Sequence, residues 1–556
     1  AAAGRFAPLA QSIDVYASQW TLEWSKGCGD AAAAACLTTA RGRLHQLVSF
    51  FRRAGPQVLV FGPDAIEQLR DPSECAALPV ATPVVVDEAE KALVDRLADA
   101  RLRYVAQPGA DDIQELVAIA DDAEAAGHEE LGARALALAG ERLGEQDRPK
   151  AAEAVLRRAA TLAVASGQRE VMVTPWGLLA STLADQGELE EAEQTLELAR
   201  GSARNVEDPG VRAALAHNGG LVLSQLGRID DAVASFEQAI ALNTENFGAH
   251  HREVAVNRGA LGNALRRAGR VDEARKQLEL ALVISREASG DLHPTTGDIL
   301  RWLGQLCTIT GDFDCADDAF VRARAVYEAG FGDAGNPTLD VLSDLAEVRR
   351  QQGRLDESLA LFELIYERGK AHPETGSTAL GEAAGNLAVI RATRGDWQGA
   401  LELAQVSRET FAAALDDDDT HVVQADTILG TILRELGRLD DSLAALQRAH
   451  TVAQRVLPPR DRERVNATIE LGHTHVARGE PEAAAKLAEE ALAALADPPG
   501  PPPVIAEAEF LLARALGPSS PRARERARHA LEVFAALGPG HAATTTQIRE
   551  WLASAD

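Results

Sequence analysis

Seven glycines constrain this chain more than any other feature. Gly227, Gly269, Gly311, Gly353, Gly395, Gly437 and Gly479 stand 42 residues apart in matching surroundings. Gly187 precedes them by 40, and Asp147 takes the equivalent place 40 earlier. A fixed period of this length marks a stack of like units, each of which buries its apolar face only against its neighbours. A length of 556 residues therefore need not mean several separate cores.

The surroundings define the unit. Leu261-Gly262, Leu303-Gly304, Leu429-Gly430 and Leu471-Gly472 precede their turn glycines. Five residues after each turn comes a small residue: Ala192, Ala232, Ala274, Ala316, Ser358, Ala400, Ser442 and Ala484. Four further on stands a large apolar one, Leu196, Phe236, Leu278, Phe320, Phe362 and Leu446, from which Ala404 and Ala488 depart. Three later a small residue returns at Ala199, Ala239, Ala281, Ala323, Ala449 and Ala491. Apolar residues spaced by three and four share one helix face. The turn glycine can adopt a left-handed conformation and end the first helix. Gly437-Arg-Leu-Asp-Asp-Ser442 and Gly311-Asp-Phe-Asp-Cys-Ala316 then open a second helix, with aspartates at its positive end. Each unit is a helical hairpin, and the composition, rich in Ala, Leu, Glu and Arg, suits helix throughout.

This pattern resembles the tetratricopeptide repeat, whose signature is the Leu-Gly, Gly, Ala, Phe and Ala positions. Its 42-residue period resembles the longer subtype of kinesin light chains. Gly290-Asp-Leu-His-Pro294 is similar to the inter-repeat loop of that subtype, and Ala334-Gly-Asn-Pro337 is a fainter echo. The resemblance spans about Asp111 to Ala536. It implies an all-α, right-handed solenoid whose job is to bind a protein or peptide partner rather than to catalyse. Four regions are expected: a helical N-terminal cap with three cysteines (1–77), a linker and leading helix (78–110), the tandem array (111–496), and a degenerate hairpin with a capping helix (497–556). Asp497-Pro-Pro-Gly-Pro-Pro-Pro503 interrupts the pattern, Gly517-Pro-Ser-Ser-Pro521 marks the last turn, and a helix from about Ala542 to Ser554, carrying Trp551, is expected to cap the stack.

Charge narrows the partner. Lys and Arg number 56 against 84 Asp and Glu, a net charge of −28. Such a surface repels phosphate backbones and anionic lipid, so nucleic acid is not expected. No run is long and apolar enough to span a bilayer. The chain opens Ala-Ala-Ala-Gly, and Met172 is its only methionine, which reads as a trimmed or processed start.

The five cysteines are Cys28, Cys36, Cys75, Cys307 and Cys315. The odd count leaves at least one unpaired within the chain, and any two of the first three can pair. Cys307 and Cys315 lie on the two helices of one hairpin, either bridging it or filling its core as two small residues. No Cys-x-x-Cys occurs, so a zinc or thioredoxin-like reading has no support.

Residues 1–77 lack the repeat. They read as a helix with Tyr16, Trp20 and Trp24 on one face, a second from about Ala35 to Arg53, and a short third from about Pro63 to Arg70. Leu78 to Asp87 reads as an extended linker. The order of aromatic helix, Cys28, Ala-Cys36-Leu and Glu-Cys75-Ala resembles the region between membrane helix and repeats in bacterial serine/threonine kinases with tetratricopeptide arrays. That resemblance implies a sensor portion outside the cytoplasm, where disulfides are possible. The alternative is a free-standing cytoplasmic adaptor.

No catalytic motif accompanies the repeats: no kinase signature, Walker loop, His-Glu-x-x-His or Gly-x-Ser-x-Gly. No cofactor is expected. Asp416-Asp-Asp-Asp419 with His421 reads as a solvated charge run rather than a metal site. His473 and His475, two apart on a helix, point to different faces, His475 into helix packing and His473 toward the groove.

The groove expected from the resemblance is lined by the first helix of each hairpin. Counting from the Leu-Gly pair gives His217 and Asn218, then Asn263 and Arg266, then Arg301, Trp302 and Gln305. Further along come Asp344, Glu347 and Arg350, then Asn386, Arg434, Glu470 and His473. Kinesin light chain-like repeats often place Asn before the pair; Asn218 and Asn386 keep it, but Ala260, Trp302, Asp344, Ile428 and Glu470 do not. Trp302 is either an exposed anchor for a partner or a packing residue.

Overall fold

Each turn glycine from Gly187 to Gly479 is left-handed, with φ between 72° and 82° in the computed structural model. At Gly269 its N–H donates to the Arg266 carbonyl at 3.0 Å and the Arg270 N–H to the Leu265 carbonyl at 2.9 Å. This paired closure satisfies two orphan carbonyls at the helix end. The same closure recurs at the other turns, for example Gly437 to Arg434 and Arg438 to Leu433.

The structure describes residues 2–27, 31–53, 61, 65–66, 69, 72, 75, 88–106, 113–145, 148–372, 378–415, 417–497, 500–537 and 542–554. The described residues are overwhelmingly α-helical and fall into two compact units, 1–358 and 359–556. The first opens with α1 (Ala2–Gly27), α2 (Ala31–Arg53), α3 (Glu88–Ala106) and α4 (Ile113–Ala125). Hairpins follow as α5 (Glu129–Glu145) with α6 (Pro149–Ala165), α7 (Arg169–Asp185) with α8 (Leu189–Ser202), and α9 (Pro209–Gln225) with α10 (Ile229–Phe247). Next come α11 (Arg252–Arg267) with α12 (Val271–Ala288), α13 (Pro294–Ile309) with α14 (Phe313–Phe331), and α15 (Asn336–Gln351). α16 (Leu355–Ala371) runs across the division. The second unit holds α17 (Thr378–Thr393) with α18 (Trp397–Ala414), α19 (Thr420–Glu435) with α20 (Leu439–Val456), and α21 (Arg462–Ala477) with α22 (Pro481–Ala494). It ends with α23 (Pro502–Leu516), α24 (Pro521–Ala536) and α25 (Ala542–Ala553).

On several first helices a glycine makes room for the large residue of the second, and Ala346 and Ala388 take the equivalent place on α15 and α17. A Cβ added to Gly304 would lie 2.7 Å from the Phe320 ring, and one on Gly262 2.6 Å from Leu278. Gly430 and Leu446 are related in the same way at 2.5 Å. The departure at Ala488 has a physical reason: Leu511 of α23 fills the space over Gly472, 2.5 Å from an added Cβ.

Four of the first helices also start alike. His251, His293, Asp419 and Asp461 occupy the same N-cap position, and each side chain accepts the N–H two residues on. Asp419 is thereby a cap, which also accepts from His421 Nδ1 at 2.8 Å.

At the N-terminus Leu9, Tyr16, Leu47, Phe51, Ala65, Ile66 and Leu69 form a small core. Trp20 donates to the Leu37 carbonyl at 2.7 Å and stacks on Trp24. Of the expected third helix only Ala65, Ile66 and Leu69 are described; the expected linker at 78–87 and Cys28 lie outside the described residues. Cys36 is bonded to Cys75. Cys307 and Cys315 are bonded to each other across the Gly311 turn, so they bridge the hairpin rather than fill its core as separate thiols. At the other end Trp551 of α25 meets the Phe510 ring edge-on, and Ile548 joins the same core. No described helix is long and apolar enough to cross a membrane.

Candidate functional site

Within each unit, neighbouring first helices pack on one another: α7 on α9, α9 on α11, α11 on α13 and α13 on α15, then α17 on α19, α19 on α21 and α21 on α23. Second helices of adjacent hairpins do so far less. Helices that crowd together lie on the inner side of a curved stack, so the first helices present the inner face.

In the first unit this face is tied across α13 and α15. Arg301 Nε lies 2.5 Å from Asp344 Oδ2 and its Nη1 3.0 Å from Asp340 Oδ2. Gln305 donates to the same Asp344 at 3.3 Å. Positions 301 and 305 face 340 and 344 because each pair is one helical turn apart. Beneath them Tyr327 donates to Asp298 Oδ1 at 2.7 Å. Burial pushes the Asp298 carboxyl up, against the pull of that bond.

Toward α9 the lining changes. Arg266 donates twice to Asn263 Oδ1, at 3.1 and 2.8 Å. Burial, and the charges of Arg267 and Arg301, lower the Arg266 pKa. His217 Nδ1 lies 2.7 Å from Asn257 Oδ1, and the ring meets Phe236 edge-on. Burial lowers the His217 pKa, so the neutral ring donates its Nδ1–H to Asn257. Asn257 is a contributor that the repeat pattern did not mark.

Two expected groove residues lie in packing positions. Asn218 is buried, its amide against Gly177 of α7. Trp302 is half-buried in the core of the first unit, and a Cβ on Gly259 of α11 would lie 2.8 Å from its ring. It therefore packs on the preceding hairpin instead of standing out as an anchor. Glu347 stays partly exposed on α15 and accepts from Arg350 one turn on, at 2.7 and 2.6 Å.

The second unit carries a charged cluster on α19, α21 and α23. Arg434 Nη1 is 2.5 Å from Glu470 Oε2, which also accepts from Thr431 at 3.1 Å. Burial raises the Glu470 pKa, but Arg434, His473 and Thr431 outweigh it and hold the carboxylate below its usual range. Arg514 Nη1 lies 3.3 Å from His473 Nδ1. Burial and the neighbouring guanidinium groups push His473 down to about 4. Burial and Glu470 push Glu507 up to about 7. Asn386 is exposed on α17. Arg514 and Glu507 lie beyond the proline break, where the period no longer points to them.

His473 and Glu507 have opposite linkage. An unfolded His473 holds its proton up to about 6.5, but the folded one releases it near 4. Between those values the unfolded chain binds more protons, so this group makes stability rise with pH. The folded Glu507 keeps its proton to about 7, and the unfolded one loses it near 4.5, so this group makes stability fall with pH over nearly the same window. The two trends offset each other in the native chain. His473→Gln is expected to leave a stability that falls from pH 4.5 to 7, and Glu507→Gln one that rises from pH 4 to 6.5, each by roughly 3 kcal/mol. Urea midpoints across this range read both slopes, and parallel profiles for the two variants would contradict the assignment.

The first-helix face is thus a row of polar side chains, many already hydrogen-bonded across neighbouring hairpins. Such a surface offers donors and acceptors that an incoming chain can engage by exchanging partners. Comparison with known proteins bears on the framework. No curated protein sequence matches the chain. Among solved structures, BtubC (BKLC) from P. vanneervenii is 19% identical, with 40% of this chain and 91% of that one covered and a TM-score of 0.34. A Rap protein complexed with Competence and Sporulation Factor is 13% identical over 66% of this chain and 98% of its own, with a TM-score of 0.41. The apo form of the quorum sensor NprR from B. thuringiensis is 14% identical over 71% and 98%, with a TM-score of 0.40. The family model of the tetratricopeptide repeat matches residues 171–245, 211–282, 253–329, 337–413 and 422–497, together more than half of the sequence. With its Schellman-closed hairpins at the same period, the chain belongs to the tetratricopeptide repeat family.

Proposed function

We propose that this chain is a non-catalytic scaffold that captures an extended polypeptide segment on the inner face of its hairpins. The observation that carries this reading is the cross-helix pairing of Arg301 with Asp340 and Asp344, repeated in kind by Arg434 with Glu470. These side chains are held in place by neighbouring helices, so little ordering entropy remains to be lost on binding. A peptide library selected on the intact chain tests it. Selected peptides should bind Arg301→Gln or Arg434→Gln about tenfold more weakly, the loss of one charge-assisted contact. They should bind Arg322→Gln, on the exposed side of α14, with unchanged affinity. Binders indifferent to both groove substitutions would refute the inner face as the site.

The finer reading is that the scaffold serves as the sensor region of a bacterial serine/threonine kinase, on the extracytoplasmic side. The order of the N-terminal aromatic helix and cysteines supports it, as do the Cys36–Cys75 and Cys307–Cys315 bonds, which suit an oxidising compartment. A free-thiol count on denatured protein, purified from its native compartment without reductant, separates this from a cytoplasmic adaptor. One thiol favours the sensor; five favour the adaptor.

A further inference from the structure

One ring of the N-terminal region reaches into the repeat array. Phe61 is only 5% exposed. Its centroid lies 6.3 Å from that of His293 and 6.0 Å from that of Phe331, edge-on to both. Gly330 leaves the room: a Cβ there would stand 3.3 Å from Phe61 Cζ. His293 caps α13, and Gly330 and Phe331 end α14.

The period shows why this seat is available. At the preceding junction Phe247 stacks on the capping His251 with centroids 4.4 Å apart. The residue 42 after Phe247 is Ser289, and 42 further on is Phe331. The junction at His293 therefore lacks an aromatic of its own at this repeat position, and Phe61 supplies a ring from outside, in an edge-on geometry. Phe61 is held to the N-terminal body on both sides. It lies inside the loop that the Cys36–Cys75 bond closes, and Ala65, Ile66 and Leu69 just beyond it join the core with Tyr16 and Phe51.

The seat also adjoins the inner face. The Phe331 ring lies 6.2 Å from that of Tyr327, whose hydroxyl donates to Asp298. Asp298 is one turn before Arg301 on α13.

We propose that the N-terminal region is an intramolecular clasp on the α13–α14 hairpin: Phe61, presented by the disulfide-closed loop, holds the start of α13 and so the inner-face residues that this helix carries. The clasp does not require the inner face to have a partner. It makes the position of the N-terminal body and the order of α13 one coupled property, so a change at either is felt at the other.

Hydrogen exchange of the full chain, read by mass spectrometry on peptides covering 289–305, tests this. An edge-on aromatic contact corresponds to about a three- to tenfold change in local opening. Phe61→Ala should raise exchange there by that factor, with α1 and α21 unchanged. The Cys36→Ser/Cys75→Ser double variant, which leaves the Cys307–Cys315 bond intact, should raise it as well. Unchanged exchange at 289–305 in Phe61→Ala overturns the clasp. A rise in Phe61→Ala but none in the cysteine variant overturns the role of the bond in presenting Phe61.

Discussion

Phe320→Ala is expected to cost the α13–α14 hairpin about 3–5 kcal/mol, the range for emptying a buried aromatic site. The ring is 1% exposed and fills the hollow over Gly304. Ala316 and Ala323 flank it on its own helix and are fully buried, so no larger neighbour can swing in. Because a solenoid is stabilised chiefly between neighbouring units, the loss should be local. Urea unfolding followed by hydrogen exchange should show α13 and α14 opening early, with α19 to α22 unaffected. A loss below about 1 kcal/mol would mean that the hairpins collapse readily, against the close packing of Phe320 over Gly304.

Arg301→Ala is expected to remove about 1–3 kcal/mol, less than for a fully buried pair because both partners retain some solvent. The side chains of Arg301 and Asp344 are 27% and 22% exposed, so the Coulomb attraction is only partly screened. Its removal leaves Asp340 and Asp344 facing each other across one turn of α15, without the guanidinium that offsets them. Asp344→Asn should cost less, since Arg301 keeps Asp340. Thermal unfolding at two ionic strengths distinguishes the cases: the Arg301→Ala deficit should shrink with added salt, as the remaining repulsion is screened. A deficit indifferent to salt would assign the loss to packing of the arginine stem.

The framework was legible because it rests on local chemistry. A glycine that must be left-handed, and a small residue that must admit a Phe or Leu, leave their mark every 42 residues. Even the departure at Ala488 becomes intelligible once Leu511 is seen to fill the gap. The inner face was less legible. Period alone put Trp302 on the lining, but one step along a helix turns a side chain from the groove toward the preceding hairpin. Asn218 was lost to packing for the same reason. Glu507 and Arg514 follow the proline-rich interruption, where the count breaks down. Asn257 and Asp340 lie one turn before the positions that the Leu-Gly pair indicates. Phe61 and the choice of Cys75 as the partner of Cys36 depend on distant segments meeting, and spacing carries no record of that. The kinesin light chain-like loop Gly290 to Pro294 was informative in a different way: its histidine caps a helix and receives the Phe61 ring.

Site-directed photo-crosslinking locates the binding surface. A benzophenone amino acid is placed at Asn386 or Arg350 on first helices, or at Arg322 on a second helix, in the chain expressed in its native cell. Partner polypeptide is expected to be trapped from position 386 or 350 and not from 322. Trapping from position 322 alone would contradict that expectation and move the binding surface to the second helices.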